Sequence, residues 1–409
     1  MVKTAHDKGI RIVLDAVINH TGPVTEEDDV FPNNWVRTDV QCTYKDYEST
    51  VTCTLVKNLP DIRTESNENV DLPEFLVEKW KSEGRYEQET AELDAFFERT
   101  NYPRAPRFYI MKWLTDYITE FGIDGYRADT VKHTEAYVWQ EFRKQCDFAF
   151  EEWKKNNPDK VLDDNPFYLV GEVYNYNIET GKIFDFGDKK VDYFEESFHS
   201  LINFGFKYDA KKDYESLFSK YSALLNNELK EQGTLNYMTS HDDGSPFDPK
   251  RLKPIETITK LLLTPGTSQL YYGDEIARPL VIDGTVGDAT LRSTMNWESI
   301  KENKTTQELL QHTSKLGLFR ANHPAVGAGT HQMITQSPYV FYRSYYQGDF
   351  SDLVVIGLDL PVGAKKLDVS NIFKEGDRVH DAYSNQEVIV KNGMVSLNSE
   401  YNIALLELK

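Results

Sequence analysis

With 409 residues, the chain is too long for one ordinary domain and suits a large α/β domain carrying smaller ones. Its 66 acidic side chains outnumber 46 basic ones, and the net charge of −20 repels phosphate backbones and polyanionic substrates, which argues against nucleic acid as a partner and leaves a neutral polymer compatible. Apolar residues make up 40 %, enough for a sizeable core, but no run of them approaches the roughly eighteen needed to span a membrane, so no membrane insertion is expected.

The first residues, Met1 to His6, lack the apolar stretch of a signal peptide. The run from Gly9 to Asp15 is aliphatic, β-branched and bounded by glycine, which predicts a buried parallel strand. From Thr21 to roughly Arg104 the chain is polar and poorly periodic, far too long for an ordinary loop, and is expected to form an irregular inserted domain. Within it Cys42 and Cys53 lie close together, where a local disulfide and two free thiols both remain open; a disulfide would imply an oxidising compartment. Cys146, in a helical pattern, reads as a buried free thiol.

Further strands are predicted at Ile123 to Asp129, Phe167 to Val173, more weakly Val191 to Phe198, then Thr234 to Ser240 and Ser268 to Glu275. Helical patterns fall between most of them, at Phe108 to Phe121, Glu135 to Lys155, Tyr214 to Lys230 and Ile255 to Leu263. Strand alternating with helix predicts a parallel sheet with right-handed crossovers, either a (β/α)8 barrel or a doubly wound sheet. After about Asn322 short strands separated by turns predict an all-β C-terminal domain. Aromatics are abundant, with 24 Tyr and 22 Phe; most are expected in the core, though aromatic faces also suit pyranose rings.

The chemically suggestive residues sit at the carboxyl ends of the predicted strands. Arg127 and Asp129 are two apart on a strand and point to one side, so a guanidinium holds a carboxylate ionised, as a glycosidase nucleophile must be. Glu172, flanked by Val173 and Tyr174, is expected to be partly desolvated, which suits a proton donor. Asp242 ends a third strand. Three carboxylates at neighbouring strand ends repel one another, a cost that a function or a cation must offset.

These motifs resemble, in order, those of glycoside hydrolase family 13, the α-amylase family: Asp15-Ala-Val-Ile-Asn-His20, Gly125 to His133, Gly171-Glu-Val-Tyr174 and Ser240-His-Asp242. Leu59-Pro-Asp-Ile62 resembles a motif of the family's inserted domain, Thr264 to Glu275 its last barrel strand, and Arg292 to Trp297 a stretch that often follows it. The resemblance covers nearly the whole chain. It implies a (β/α)8 barrel over 1–20 and 105–322, an inserted domain over 21–104, and a C-terminal β-sandwich domain over 323–409.

It further implies Asp129 as nucleophile, Glu172 as general acid/base and Asp242 as transition-state stabiliser. Arg127 would orient Asp129, His20 and His241 would bond the sugar at the cleavage point, and Lys132 and His133 would lie on the leaving-group side. Asn19, Asp61 and the backbone carbonyl of His133 match the hard oxygen ligands of a Ca2+ ion. The expected substrate is an α-1,4-glucan, starch or maltooligosaccharide, cut internally by a retaining hydrolase that is secreted or periplasmic and monomeric.

Two departures stand out. Ser240 replaces the asparagine many relatives carry there, which predicts a small change in sugar contacts. The Asp15 motif normally follows the third barrel strand, so two strands have no counterpart; the expectation is an N-terminally truncated chain that folds poorly and turns over little by itself. The alternatives are an α-glucan transglycosylase or oligosaccharide α-glucosidase using the same carboxylates, and a non-catalytic glucan-binding or truncated relative. A phosphate-handling metal barrel is disfavoured, because no Gly-rich phosphate loop follows the last strands.

Overall fold

The computed structural model describes residues 1–22, 24–195 and 197–409, which divide into two compact units, Met1–Tyr176 with Lys182–Ile202, and Asn177–Gly181 with Asn203–Lys409. In the first unit, parallel strands Val13–Ala16, Gly125–Ala128 and Tyr168–Gly171 pair in that order, and Ser200–Asn203 joins beyond them through Val170 and Gly171. The register sets Asp15 opposite Arg127 and Ala128 opposite Gly171.

Helix Pro106–Phe121 starts with proline, whose missing N–H costs nothing at a first turn. It ends at Gly122, at a φ of 68°, where an added Cβ would lie 2.1 Å from the Trp153 ring, so only glycine turns the chain here. The next strand thereby starts in place and delivers Arg127 and Asp129 to the site. Helix Ala136–Asn156 buries Val138, Trp139, Phe142, Cys146 and Phe150 along one stripe. Cys146 is the expected buried free thiol, and Cys42 and Cys53 form a disulfide.

Two expectations are corrected in this unit. The parallel strand is Ser200–Asn203, not Val191 to Phe198; Lys190–Asp192 instead pairs antiparallel with Ile183–Asp185. The true strand is a fully buried four-residue run, too short for its pattern to stand out, and Glu196, inside the expected span, lies outside the described residues. The inserted stretch is also less irregular than its composition predicts. It contains helices Glu74–Ser82, which buries Trp80, and Tyr86–Thr100, which buries Leu93, Phe96 and Phe97 under a polar surface.

In the second unit, Gly233–Tyr237 and Thr267–Gln269 pair in parallel, and helices Tyr214–Asn226, Pro254–Leu263 and Lys304–Asn322 accompany them. An antiparallel sheet follows in the order Thr330–Thr335, Tyr339–Gln347, Phe350–Leu358, Ala404–Leu408, Arg378–Asp381 and Gln386–Ile389, with Gly363–Asp368 and Met394–Ser399 as a second pair. Val355, Leu367, Val379, Val395, Leu397 and Leu406 form its core.

Glu407 is clasped by two imidazoles, His380 at 2.7 Å and His323, and His323 also meets Asp352 at 2.8 Å. Burial lowers the His380 pKa, but Glu407 and Asn385 outweigh it and raise it; burial raises the Glu407 pKa, but the two histidines outweigh it and lower it. A raised histidine stabilises below its unfolded pKa of about 6.5 and a lowered glutamate above about 4.5. The clasp therefore contributes most between those values. Melting temperature measured against pH is expected to show His380→Gln losing a few tenths to about 1 kcal/mol near pH 5.5 and less above pH 8; equal loss at both would refute the clasp.

Candidate active site

Each candidate side chain in the first unit is placed by a strand end. Asp129 follows Gly125–Ala128, and its N–H donates to the Ala16 carbonyl at 2.9 Å. Thr130 then adopts φ 47°, and Val131 N–H donates to the Glu172 carbonyl at 3.0 Å, so the chain turns sharply under two strands' control. Arg127 lies on the same side as Asp129, as alternation predicts. Its guanidinium reaches Asp129 at 2.5 Å, Glu172 at 2.8 Å and Asp15 at 2.8 Å. One planar fork thus holds the expected nucleophile and the expected acid/base together. Burial works against the charge on Arg127, but Glu172, Asp129 and Asp15 outweigh it and raise its pKa, so the cation is permanent.

Glu172 is 9 % exposed, as expected, and its second oxygen accepts the Thr130 N–H at 3.0 Å. Both donors reach Glu172 from the neighbouring strand and the turn after it, so neither leaves a local signal in the sequence around Glu172. His20 is half-buried beside Asn19, its Nδ1 3.2 Å from the Asn19 side-chain oxygen, and burial lowers its pKa although Asp129 opposes that. Lys132 stands 4.8 Å over the Tyr174 ring, and burial lowers its pKa. His133 is 5 % exposed and burial pulls its pKa down to about 4, so the ring is neutral at ordinary pH.

Asp242 belongs to the second unit, after strand Gly233–Tyr237. The Ser240 hydroxyl donates to one of its oxygens at 2.8 Å, and His241 approaches the other at 3.4 Å. Ser240 therefore orients the carboxylate directly, a contact the sequence reading did not include. Arg292 donates to the His241 carbonyl at 3.1 Å and holds that loop.

The expected metal ligands converge, although they are far apart in sequence. Ile62 N–H donates to the Asn19 carbonyl at 2.7 Å and Thr21 N–H to the Pro60 carbonyl at 3.0 Å, which lays Leu59 to Ile62 against Asn19 to Thr21. Asn19 is fully buried, and its side-chain nitrogen donates to Asp61 at 2.9 Å and to the His133 carbonyl at 2.7 Å. Turning that amide over would aim three oxygens at one point. Asp61, 1 % exposed, also accepts from Arg37 at 2.8 Å, and Arg37 also pairs with Glu65. Burial pushes the Asp61 carboxyl up to about 8; Arg37 opposes this, and Glu65 and Glu135 add to it. One oxygen each of Glu65 and Glu135 is buried without a hydrogen-bond partner. An amide, a carboxyl and a backbone carbonyl, with Glu65 and Glu135 close to Asp61, are hard oxygen donors of the kind that fits a divalent cation such as Ca2+.

Among the described residues, no cluster of three or more His, Cys, Asp or Glu side chains could hold a metal, and the Asn19 cradle contains only one such side chain. Sequence reasoning missed Arg37, Glu65 and Glu135. Glu135, two residues past His133, could have been found from its place in the motif; Arg37 meets Asp61 only through strand pairing and left no local signal.

Carboxylates gathered on an arginine at the ends of parallel strands define a glycosidase-type site on an α/β scaffold. The family model for the α-amylase catalytic domain matches residues 1–322, and the chain belongs to the α-amylase family of glycosidases. It is similar to the periplasmic α-amylase of Escherichia coli (strain K12), 31 % identical over 412 residues covering 87 % of this chain and 56 % of that protein. It is also similar to a cyclomaltodextrinase of Geobacillus thermopakistaniensis (strain MAS1), at 26 % identity, 87 % of this chain and 52 % of that one. The chain thus spans about half the length of the curated relatives it matches. The crystal structure of the α-amylase from Geobacillus thermoleovorans complexed with acarbose aligns over the whole chain and 80 % of its own, with a TM-score of 0.65 at 18 % identity. The fold class is therefore that of the α-amylases, a (β/α)8 barrel type with an antiparallel C-terminal domain. No helix among the described residues is long and apolar enough to cross a membrane.

Proposed function

We propose that the chain is the catalytic part of a retaining hydrolase that cuts α-1,4-glucosidic bonds within starch and maltooligosaccharides. The observation that carries this reading is the single guanidinium of Arg127 shared by Asp129 and Glu172. Asp129, oriented by Arg127, attacks the anomeric carbon and forms a glycosyl ester as the bond to the leaving oxygen breaks. Glu172 gives that oxygen its proton, then takes one from the water that cleaves the ester. Asp242 binds sugar hydroxyls and favours the oxocarbenium-like state, and Ser240 keeps it aimed. His20, His241, Lys132 and His133 bind sugar hydroxyls around the cleavage point. The product keeps the α configuration.

Members of the family often bind calcium. In this chain Asn19, Asp61 and the His133 carbonyl would hold the ion, which would supply positive charge to the buried carboxylates and tie the inserted stretch to the strand ends. The Cys42–Cys53 disulfide supports a secreted or periplasmic location, and a monomer is the expected state. The cyclomaltodextrinase relative favours a second reading, ring opening or glucosyl transfer with the same carboxylates.

The test is reducing-end release from soluble starch and from a cyclic maltodextrin, with calcium and then with excess chelator, and product analysis from maltoheptaose. Mid-chain products from starch with little ring opening support the endo reading. Chelation is expected to lower the melting temperature by several degrees, with calcium restoring it. Turnover of the ring alone would overturn the endo reading, and a melting curve indifferent to both treatments would overturn the calcium assignment.

A further inference from the structure

The loop closed by Cys42 and Cys53 plays no part in the chemistry above; Tyr47 anchors it through its N–H to Asp188 at 2.9 Å and through its ring to Phe186, and the loop also reaches the segment from His133 to Ala136. The two cysteines, 11 apart in sequence, sit at its neck, where Cys42 N–H donates to the Thr54 carbonyl and Thr54 N–H to the Val40 carbonyl. Inside the loop, Asp46 and Ser49 hydrogen-bond back to the chain around them and shape a single helical turn, Glu48–Val51. From this turn the Thr50 carbonyl meets His133 Nδ1 at 3.0 Å. The Tyr44 ring stands edge-on to the His133 ring at 5.9 Å between centroids, and the Tyr47 hydroxyl accepts the Ala136 N–H at 3.0 Å.

A carbonyl can only accept, so Nδ1 of His133 carries the proton. The ring is thereby held through Nδ1, and Nε2 is the ring nitrogen left for a sugar hydroxyl. Tyr47 and Val51 are buried and seat the loop, and the cross-link at its neck adds to them by restricting the chain on both sides of the Thr50 carbonyl.

We propose that the disulfide-closed loop Cys42–Cys53 is a positioning element of the glucan site, holding His133 in the tautomer that presents Nε2 to substrate. Glucan affinity therefore depends on the oxidised state of this pair. The inference rests on the glucan reading and on His133 as a substrate contact.

The experiment compares the full chain with Cys42→Ser/Cys53→Ser, His133→Gln and their combination on maltoheptaose, and records the imidazole nitrogen signals of each folded sample. The double-serine variant is expected to raise KM about fivefold, the effect of one lost hydrogen bond, with kcat within twofold. His133→Gln should do the same, and the combination should be no worse than either, because both act through one contact. The His133 signal should show the Nδ1–H tautomer in the parent and a mixture in the double-serine variant. An unchanged KM in the folded variant, independent multiplication of the two effects, or an unchanged tautomer would each overturn the proposal. If the variant does not fold, reduction of the parent below its melting temperature decides. A KM that rises and returns on reoxidation supports the loop's role, and a constant KM with both thiols titrated overturns it. A parent inactive on every glucan would count against the function reading, and the tautomer signal would still judge the loop.

Discussion

Asp129→Asn is expected to lower reducing-end release from starch by on the order of 10⁴ to 10⁶-fold while the protein still folds and binds maltooligosaccharide. The exchange is nearly isosteric, so packing around Gly125–Ala128 is kept, and Arg127 retains Asp15 and Glu172 as anionic partners. What is lost is the carboxylate that must form the glycosyl ester. Glu172→Ala should also be severe, but it should differ in kind: a small nucleophilic anion such as azide needs no general base. It should restore turnover of a substrate with a good leaving group and give an α-configured glycosyl azide, because the Asp129 ester still forms first. Azide acting on a small-residue variant at Asp129 should instead attack directly and invert the configuration. The stereochemistry thus assigns the two roles separately. A variant at Asp129 that keeps most of its activity would remove the nucleophile assignment and return the non-catalytic reading to favour.

How much of this site could be read beforehand depended on the range over which its parts interact. Arg127 and Asp129 share a side of one strand by period alone, so their contact was legible. The sharing of Arg127 with Glu172 was not, because it arises from the register between neighbouring strands, which no local pattern encodes. The Asn19 cradle was legible only through a family resemblance, since its members come from three separate stretches. Helices Glu74–Ser82 and Tyr86–Thr100 escaped notice because their buried stripes are only one to three residues wide and their surfaces are densely charged. Strand Gly363–Asp368 leaves a weak signal because one of its inward positions is Lys365, whose ammonium meets the Ser399 carbonyl and hydroxyl where an apolar side chain is expected.

Arg37→Met is expected to destabilise the calcium-free protein by about 3 to 5 kcal/mol, read as a lower unfolding midpoint in urea. Arg37 is 6 % exposed, and its guanidinium is the cation that meets Asp61 and Glu65. Methionine fills a similar volume but leaves Asp61 and Glu65 without that partner, in a setting where burial already penalises the charge of Asp61 and of the neighbouring Glu135. Arg37→Lys should recover only part of the loss, because a single ammonium cannot serve two carboxylates with the geometry of a planar fork. Removing the charge from both sides is the more telling change. Arg37→Met with Asp61→Asn should be less destabilised than the sum of the single variants, since the second substitution eliminates the group that the first stranded. Calcium should narrow the deficit of Arg37→Met, because a divalent ion at Asp61 offsets the charge that the guanidinium no longer meets. Additive single effects, or a deficit under about 1 kcal/mol, would mean that water or a neighbouring donor reaches Asp61 and that the Arg37–Asp61 pairing is not what holds Leu59 to Ile62 against Asn19.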